Sequence, residues 1–227
     1  MTIADRWGEV VTRVERAAER SGRDPAEVTV IAVAKTFPAD AVAEAIAAGA
    51  TDIGENRAQE LRDKMAALGD RARWHFVGHL QTNKVRALAG RVALVHSVDR
   101  FGLGEAIARR AAGIGTTQDV LIEVNLGGES SKAGVEPART AALAAEVDAL
   151  DGIAVRGLMA IPPSAPDPEQ TRSFFKELAA LRDDVIEGVP SATGLSMGMT
   201  RDFEVAIEEG ATWVRVGEAI FGPRTPR

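Results

Sequence analysis

Cysteine and tyrosine are both missing from the 227 residues of this chain. Without cysteine there can be no disulfide, no thiolate metal site and no cysteine nucleophile. The absence of cysteine is compatible with the cytoplasm, where thiols stay reduced, and we expect that location. Without tyrosine, the chain has no phenol to act as a proton donor or acceptor.

Long hydrophobic runs and an excess of basic residues are also missing. No stretch approaches about 18 uninterrupted apolar residues, and residues 1–20 alternate charged and apolar side chains. We therefore expect neither a membrane span nor a signal peptide. The formal net charge is −6, whereas a protein that binds nucleic acid would show a basic face. The sequence thus predicts neither a membrane nor a nucleic-acid partner.

The most informative segment is the run of small and β-branched apolar residues at 28–36, which contains one lysine, Lys35. Its nearly continuous apolar character predicts a strand buried on both faces, and Pro38 prevents further strand pairing. A lysine at the end of such a strand can lose solvent, which lowers its pKa and yields an amine nucleophile. The alternative is a lysine whose stem covers apolar surface while its amine reaches water.

The rest of the chain repeats a strand followed by a helix. We predict strands at 28–35, 51–54, 74–78, 93–98, 119–125, 155–159, 193–196 and 212–216, with a helix after each but the last and another at 3–20. Such alternation is typical of a parallel α/β sheet, and eight repeats favour a (β/α)8 TIM barrel with an extra N-terminal helix. We expect one domain, residues 1–227; a doubly wound open sheet is the competing architecture.

In a barrel, the residues at the C-terminal ends of the strands meet at one mouth. These residues are Lys35, Asn56, His79, Asp99, Asn125, Met159, the segment 196–200 and the segment 217–219, with Arg215 just inside the last strand. The loops after strands 7 and 8 are the usual phosphate position in such barrels. The first leads into a helix here, and the second offers Gly217 before Glu218. The alternative is ordinary capping of the next helix by Thr200 and Asp202.

A lysine facing a phosphate site suggests pyridoxal phosphate, whose aldehyde forms an imine with an amine. Arg215 then has a natural place near the pyridine nitrogen. Since arginine does not give up its proton, it would leave the ring nitrogen unprotonated and weaken the cofactor as an electron sink. The alternative for Arg215 is a buried ion pair with a core carboxylate.

The three histidines are dispersed and show no metal-ligand spacing, so we predict no metal site. We interpret His75 as a hydrogen-bonded core residue and His96 as structural. His79 remains a site candidate, with helix capping as the alternative. Lys132 is interpreted as a solvated surface lysine, and Met159 as core packing.

Six segments of the chain resemble a known family. They are 32–36, 54–56, 74–84, 157–162, 195–199 and 214–222. In order and over nearly the whole length, they look like the pyridoxal phosphate homeostasis proteins, the stand-alone relatives of the alanine racemase barrel. The resemblance implies the fold of the alanine racemase N-terminal domain, with pyridoxal phosphate in imine linkage to Lys35.

The same resemblance implies roles for the other residues at the mouth. Arg215 would lie at the ring nitrogen, and Asn56, His79 and Met159 around the cofactor. The phosphate contacts would come from Ser196, Met197, Gly198, Gly217 and Glu218. Many relatives carry Thr or Ser where this chain has Glu218, so a hydroxyl contact is lost. The carboxylate would repel phosphate unless it turns outward.

Two functions are compatible with such a site. The first is storage and delivery of pyridoxal phosphate without turnover, with enzymes that lack their cofactor as partners. The second is a small amino-acid racemase. The resembling racemases use a tyrosine and a C-terminal β-domain, whereas this chain has no tyrosine and ends at its eighth predicted strand. We therefore predict that the protein is not an enzyme. We expect a monomer, and a dimer stays open.

Overall fold

The computed structural model describes residues 1–128, 133–163 and 165–223, and these form a closed barrel of parallel strands in the order β1 to β8. The strands are β1 Thr29–Val33, β2 Asp52–Glu55, β3 Arg73–Phe76, β4 Leu94–Val98, β5 Gln118–Val124, β6 Ile153–Ala160, β7 Gly194–Met199 and β8 Trp213–Val216. Ala32 of β1 pairs with Val216 of β8 and closes the barrel. The predicted (β/α)8 barrel is confirmed, and the open-sheet alternative is wrong.

Helices follow the strands around the outside. They are α1 Ile3–Arg20, α2 Ala39–Ala47, α3 Ala58–Leu68, α4 Val85–Leu88, α5 Phe101–Ala112, α6 Thr140–Asp148, α7 Arg172–Gly188, α8 Phe203–Glu208 and α9 Glu218–Phe221. The extra N-terminal helix is confirmed. A short helix, α9, also follows β8, where the sequence predicted only a tail. Among the described residues, no helix has the length and apolar character that a membrane crossing requires.

Two strand ends differ from the prediction in a way that matters for the site. β1 ends at Val33, and Lys35 lies in a turn in which Thr36 adopts a left-handed φ of 73°, outside the β region. β7 continues to Met199, so Ser196 lies inside the strand and not in the loop after it. The strand passes through Gly198.

The fold has two separate apolar clusters, one between the sheet and the helices and one inside the barrel. Large apolar side chains such as Ile53, Phe175 and Phe203 are fully buried between the sheet and the helices, where each stabilises the fold by about 1.5–3 kcal/mol. Inside the sheet, a small cluster of Leu94, Leu121 and Met159 packs against Trp213. Buried polar side chains also lie inside the barrel, and they are described below.

The N-terminal helix α1 packs against α8. Its buried face includes Val10 and Val14, which recur at helical spacing. On its flank, Arg13 donates two hydrogen bonds of 2.9 Å to the Glu204 carboxylate of α8. Both of these side chains are about one third exposed, so the apolar face contributes more to the docking than this ion pair does.

Candidate functional site

Lys35 is half-buried in a turn that helix α3 holds from both sides. The Lys64 ammonium of α3 donates a 2.8 Å hydrogen bond to the carbonyl of Ala34, and the Thr36 N–H donates one of 2.9 Å to the Glu60 carboxylate. The left-handed φ of Thr36 costs about 1–2 kcal/mol in a residue with a side chain. The backbone on either side of Lys35 is therefore fixed by hydrogen bonds to α3, and the strained φ of Thr36 lowers the stability of the fold.

Lys64 is itself buried and forms an ion pair with the buried carboxylate of Glu55, at the end of β2. Burial raises the pKa of Glu55, and the ammonium of Lys64 opposes that rise. The sequence argument did not single out Lys64. One signal was present, since Leu61, Lys64 and Leu68 share the buried face of α3 at helical spacing.

The start of α9 lies beside the Lys35 turn. A Cβ on Gly217, just before α9, would lie 3.1 Å from the Val33 carbonyl at the end of β1. The ring of Phe37, two residues after the lysine, stacks on Phe221, the last residue of α9, with the centroids 5.1 Å apart. Gly217 precedes α9, and the first backbone N–H groups of any helix lack intrahelical acceptors and attract anions. Glu218 is exposed at the first position of α9, which agrees with the expectation that its carboxylate turns outward.

The loop after β7 is built differently from the expected phosphate loop. Asp202 accepts a 2.7 Å hydrogen bond from the Met199 N–H, which precedes α8, and its side chain makes no capping bond to α8, so the capping alternative is wrong for Asp202. Gly198 has a φ of 84°, and a Cβ there would lie 2.5 Å from the Cβ of Ala206 on α8. The glycine is thus required by helix packing. The side chain of Met197 is fully buried in the outer core, so only its backbone faces a ligand at the mouth.

Arg215 is buried inside the barrel with no carboxylate in contact among the described residues. It donates hydrogen bonds to the Ser196 hydroxyl at 2.6 Å and to the Ala160 carbonyl at 2.9 Å. The ion-pair alternative is therefore wrong for the described part of the chain. Burial lowers the pKa of Arg215 to about 10, with attraction to Glu123 and Asp202 opposing the shift. Further N–H groups of the guanidinium remain to donate.

Glu123 is a buried carboxylate that the sequence argument missed. It lies on β5 opposite Met159 of β6, is 8% exposed, and its Oε2 has no hydrogen-bond partner among the described residues. Burial raises the pKa of Glu123 to about 7; repulsion by Asp99 adds to the shift, and Arg215 opposes it. The signal was a single glutamate within the apolar run of the fifth strand.

Three other predicted residues lie at or below the mouth. The buried Oδ1 of Asn56 has no hydrogen-bond partner within the described part of the chain. Gly78 lies so close to Asn56 that a Cβ on it would lie 2.4 Å from the Asn56 carbonyl. His79 is exposed, with its Nδ1 3.6 Å from Oδ2 of Asp99. Met159 is fully buried in the inner apolar cluster, so the interpretation as core packing is confirmed.

The other two histidines are buried inside the barrel, as predicted. Nδ1 of His75 lies 3.1 Å from Nε2 of His96, and Nε2 of His75 lies 2.9 Å from the Asp52 carboxylate. Across residues 1–128, 133–163 and 165–223, no cluster of His, Asp or Glu side chains could hold a metal ion. The predicted surface residue Lys132 lies outside the described ranges.

A cavity of about 600 Å³ borders the mouth between α3 and α4. Asn56 and His79 line it on the barrel side, and buried Phe76 forms part of its wall. The charged residues that line it are all basic: Arg57, Arg62, Lys84 and Arg86. In a chain of net charge −6, this groove concentrates positive charge next to the mouth and would attract an anion.

The parts of the mouth complement one kind of ligand. The backbone around Lys35 is held by α3, and the Lys35 amine can bond to an electrophilic carbonyl carbon. The start of α9 can accept an anionic group, and Arg215 can donate hydrogen bonds from below. The unpaired Asn56 Oδ1 is a buried polar atom that a ligand could satisfy.

Comparison with known proteins agrees with this geometry. Residues 10–225 match the family model of the alanine racemase N-terminal domain. A protein of Aquifex aeolicus named pyridoxal phosphate homeostasis protein is 45% identical over 226 residues, covering 99% of both chains.

Two solved structures are also similar. A protein of unknown function from Bifidobacterium adolescentis superposes with a TM-score of 0.91 at 38% identity, covering 96% of this chain and 94% of that one. PipY of Synechococcus elongatus, solved with PLP bound, gives 0.81 at 36% identity, covering 92% and 100%. The chain therefore belongs to the alanine racemase N-terminal domain family, among relatives named pyridoxal phosphate homeostasis proteins.

Proposed function

We propose that this protein binds pyridoxal phosphate at the barrel mouth and stores and delivers it in the cytoplasm, with residues 1–227 acting as one domain. The observation that carries the proposal is the Lys35 turn, which α3 holds on both sides and which lies next to the start of α9. The homeostasis names of the relatives and the PLP-bound structure of PipY support the same ligand.

The cofactor would be held through its aldehyde by the Lys35 amine, as an imine, and would supply a conjugated ring able to withdraw electrons. Gly217 and the first N–H groups of α9 would bind the phosphate. The backbone from Ser196 to Gly198 would add contacts, since the Ser196 hydroxyl is already engaged inside the barrel. Asn56 and His79 would border the ring.

Arg215 would meet the ring nitrogen from below, with Met159 packed beside it in the barrel interior. An arginine donates a hydrogen bond but keeps its proton even at a pKa of about 10. It would therefore leave the ring nitrogen unprotonated and disfavour carbanion chemistry at neutral pH. This is the main physical argument for storage over turnover.

A racemase-type activity is the second candidate, and Glu123 is the observation that favours it. Racemisation needs two groups that exchange a proton from opposite faces, and the sequence offered only Lys35. A buried carboxyl with a pKa of about 7 is poised to give or take a proton near neutral pH. Glu123 therefore supplies a second titratable group near Arg215.

One experiment separates the two candidates. Protein loaded with pyridoxal phosphate is mixed with an apo-enzyme that needs this cofactor, in the presence of a phosphatase that destroys free cofactor. The loaded protein is also incubated with L-alanine alone. We expect the apo-enzyme to gain activity and no D-alanine to form. Racemisation that is lost in both Lys35→Ala and Glu123→Gln would instead establish the racemase.

A further inference from the structure

A line of polar side chains crosses the barrel interior from Arg215 to Asp52 at the opposite end. We refer to Arg215, Ser196, His96, His75 and Asp52 as the inner network. Its successive hydrogen bonds measure 2.6, 2.9, 3.1 and 2.9 Å, and all of its members are buried. It lies within the sheet and extends away from the mouth, and the proposed function uses only its first member directly.

The two ends of the inner network have fixed roles. Arg215 can only donate hydrogen bonds. Asp52 also accepts hydrogen bonds of 2.9 and 2.7 Å from Arg73 and one of 2.7 Å from Thr51. Burial opposes ionisation of Asp52, but the bonds from His75, Arg73 and Thr51 outweigh it and hold the pKa of Asp52 well below its usual range. Asp52 is therefore an ionised acceptor.

These fixed ends set the direction of every bond between them. His75 must donate its Nε2–H to the Asp52 carboxylate, so in a neutral ring its Nδ1 accepts from His96 Nε2–H. The Nδ1 of His96 then accepts from the Ser196 hydroxyl, and Ser196 accepts from Arg215. The imidazole protons of both histidines and the hydroxyl proton of Ser196 all have acceptors in this arrangement. Burial, together with the charge of Arg215, holds the pKa of His96 well below its usual value, so its ring is neutral.

The opposite direction fails on hydrogen counting. It would need a doubly protonated His75 donating to His96, and His96 Nδ1–H donating to Ser196. Ser196 would then accept two hydrogen bonds, and its own hydroxyl proton would have no acceptor among the described residues. A buried polar group without a partner costs about 1–3 kcal/mol.

We propose that the inner network is a one-directional hydrogen-bond chain in which Ser196, His96, His75 and Asp52 are positioning residues that fix Arg215. The part that concerns the cofactor rests on the proposed function, in which Arg215 faces the ring nitrogen. Ser196 takes one N–H and the Ala160 carbonyl another, so the guanidinium is held at two points. The remaining N–H groups keep one orientation towards a ligand.

The direction of the inner network is tested without any ligand. The chain has only three histidines, so ¹⁵N NMR of the imidazole nitrogens in the free protein at pH 7 is readily assigned. We expect His75 and His96 to be neutral and to carry their proton on Nε2. An Nδ1–H form of His96, or an imidazolium at His75, would overturn the proposed direction.

The positioning role is tested with two buried serines. Ser196→Ala removes the acceptor of Arg215, whereas Ser97→Ala removes a buried hydroxyl that has no partner among the described residues. With pyridoxal phosphate labelled at the ring nitrogen, we expect Ser196→Ala to move the ¹⁵N signal and weaken binding about tenfold, the equivalent of one hydrogen bond to a charged group. Ser97→Ala should change neither.

Equal affinity and an unmoved ring signal in Ser196→Ala would overturn the positioning role. If the unaltered protein binds no pyridoxal phosphate, the proposed function fails. The histidine spectrum of the free protein still decides the direction of the network in that case, so the two failures are distinguishable.

Discussion

The buried carboxylates at the two ends of the barrel have pKa values shifted in opposite directions. Asp52, at the start of β2, accepts hydrogen bonds from Arg73, Thr51 and His75, and its pKa lies well below the usual range. Glu123, near the end of β5, has an Oε2 with no partner in the described ranges, and burial raises its pKa to about 7. Both side chains are buried, so the number of hydrogen bonds and not exposure makes the difference.

The two ends also differ in how completely their buried polar groups are hydrogen-bonded among the described residues. At the end of the barrel away from the mouth, the hydrogen-bonding groups of Asp52 and His75 are paired. At the mouth, Asn56 Oδ1 and Glu123 Oε2 have no partner among the described residues, and Thr36 is strained. Unpaired buried groups are costly, so two of them at the mouth, together with a strained residue, favour a ligand site there over simple core packing.

The largest expected effect comes from breaking the paired end. Asp52→Ala removes an ionised acceptor of hydrogen bonds from Thr51, Arg73 and His75 and leaves the buried His75 N–H unpaired. We expect the free energy of unfolding at pH 7 to fall by about 4 kcal/mol, the equivalent of two hydrogen bonds to a charged group. Because the pKa of Asp52 is depressed when folded, its contribution is present above the usual aspartate pKa and is lost as the pH falls below it. Urea unfolding at pH 7 and pH 3 measures both the loss of unfolding free energy and its dependence on pH.

The control for this change is Asp184→Ala, which removes an exposed aspartate of α7. It should change the unfolding free energy by less than about 0.5 kcal/mol at either pH. A cost for Asp52→Ala that is as small as that of the control, or that is undiminished at pH 3, would contradict the account of the paired end.

A smaller effect of opposite sign is expected at the mouth. The pKa of Glu123 is raised from 4.5 to about 7, so the folded state binds the extra proton between these values and stability falls as the pH rises through them. Glu123→Gln removes this cost and should stabilise the protein at pH 8 by on the order of 3 kcal/mol, with little effect at pH 4.5.

Glu146→Gln, an exposed position on α6, serves as the matched control in the same urea titrations. It should leave the pH dependence of stability unchanged. If Glu123→Gln destabilised the protein at pH 8, Glu123 would be paired there, and the contrast between the two ends would disappear.

The barrel and the position of the mouth could be predicted because strand–helix alternation and strand ends are local patterns. The orientation of the Ser196 side chain could not be predicted. Successive side chains of a strand lie on opposite faces of the sheet, and the predicted end of β7 fell three residues too early. Glu123 and Lys64 were overlooked because their burial depends on partners far along the chain. The pairing of His75 with His96 likewise depends on the register of β3 against β4.

The central claim is that Lys35 holds pyridoxal phosphate at this mouth. The most direct test is to add the cofactor, reduce the protein with borohydride and map the modified peptide, with Lys35→Ala and the exposed Lys176→Ala treated alike. We predict a yellow protein whose adduct maps to Lys35, is absent from folded Lys35→Ala and persists in Lys176→Ala. A colourless protein, or an adduct that persists in Lys35→Ala, would contradict the account.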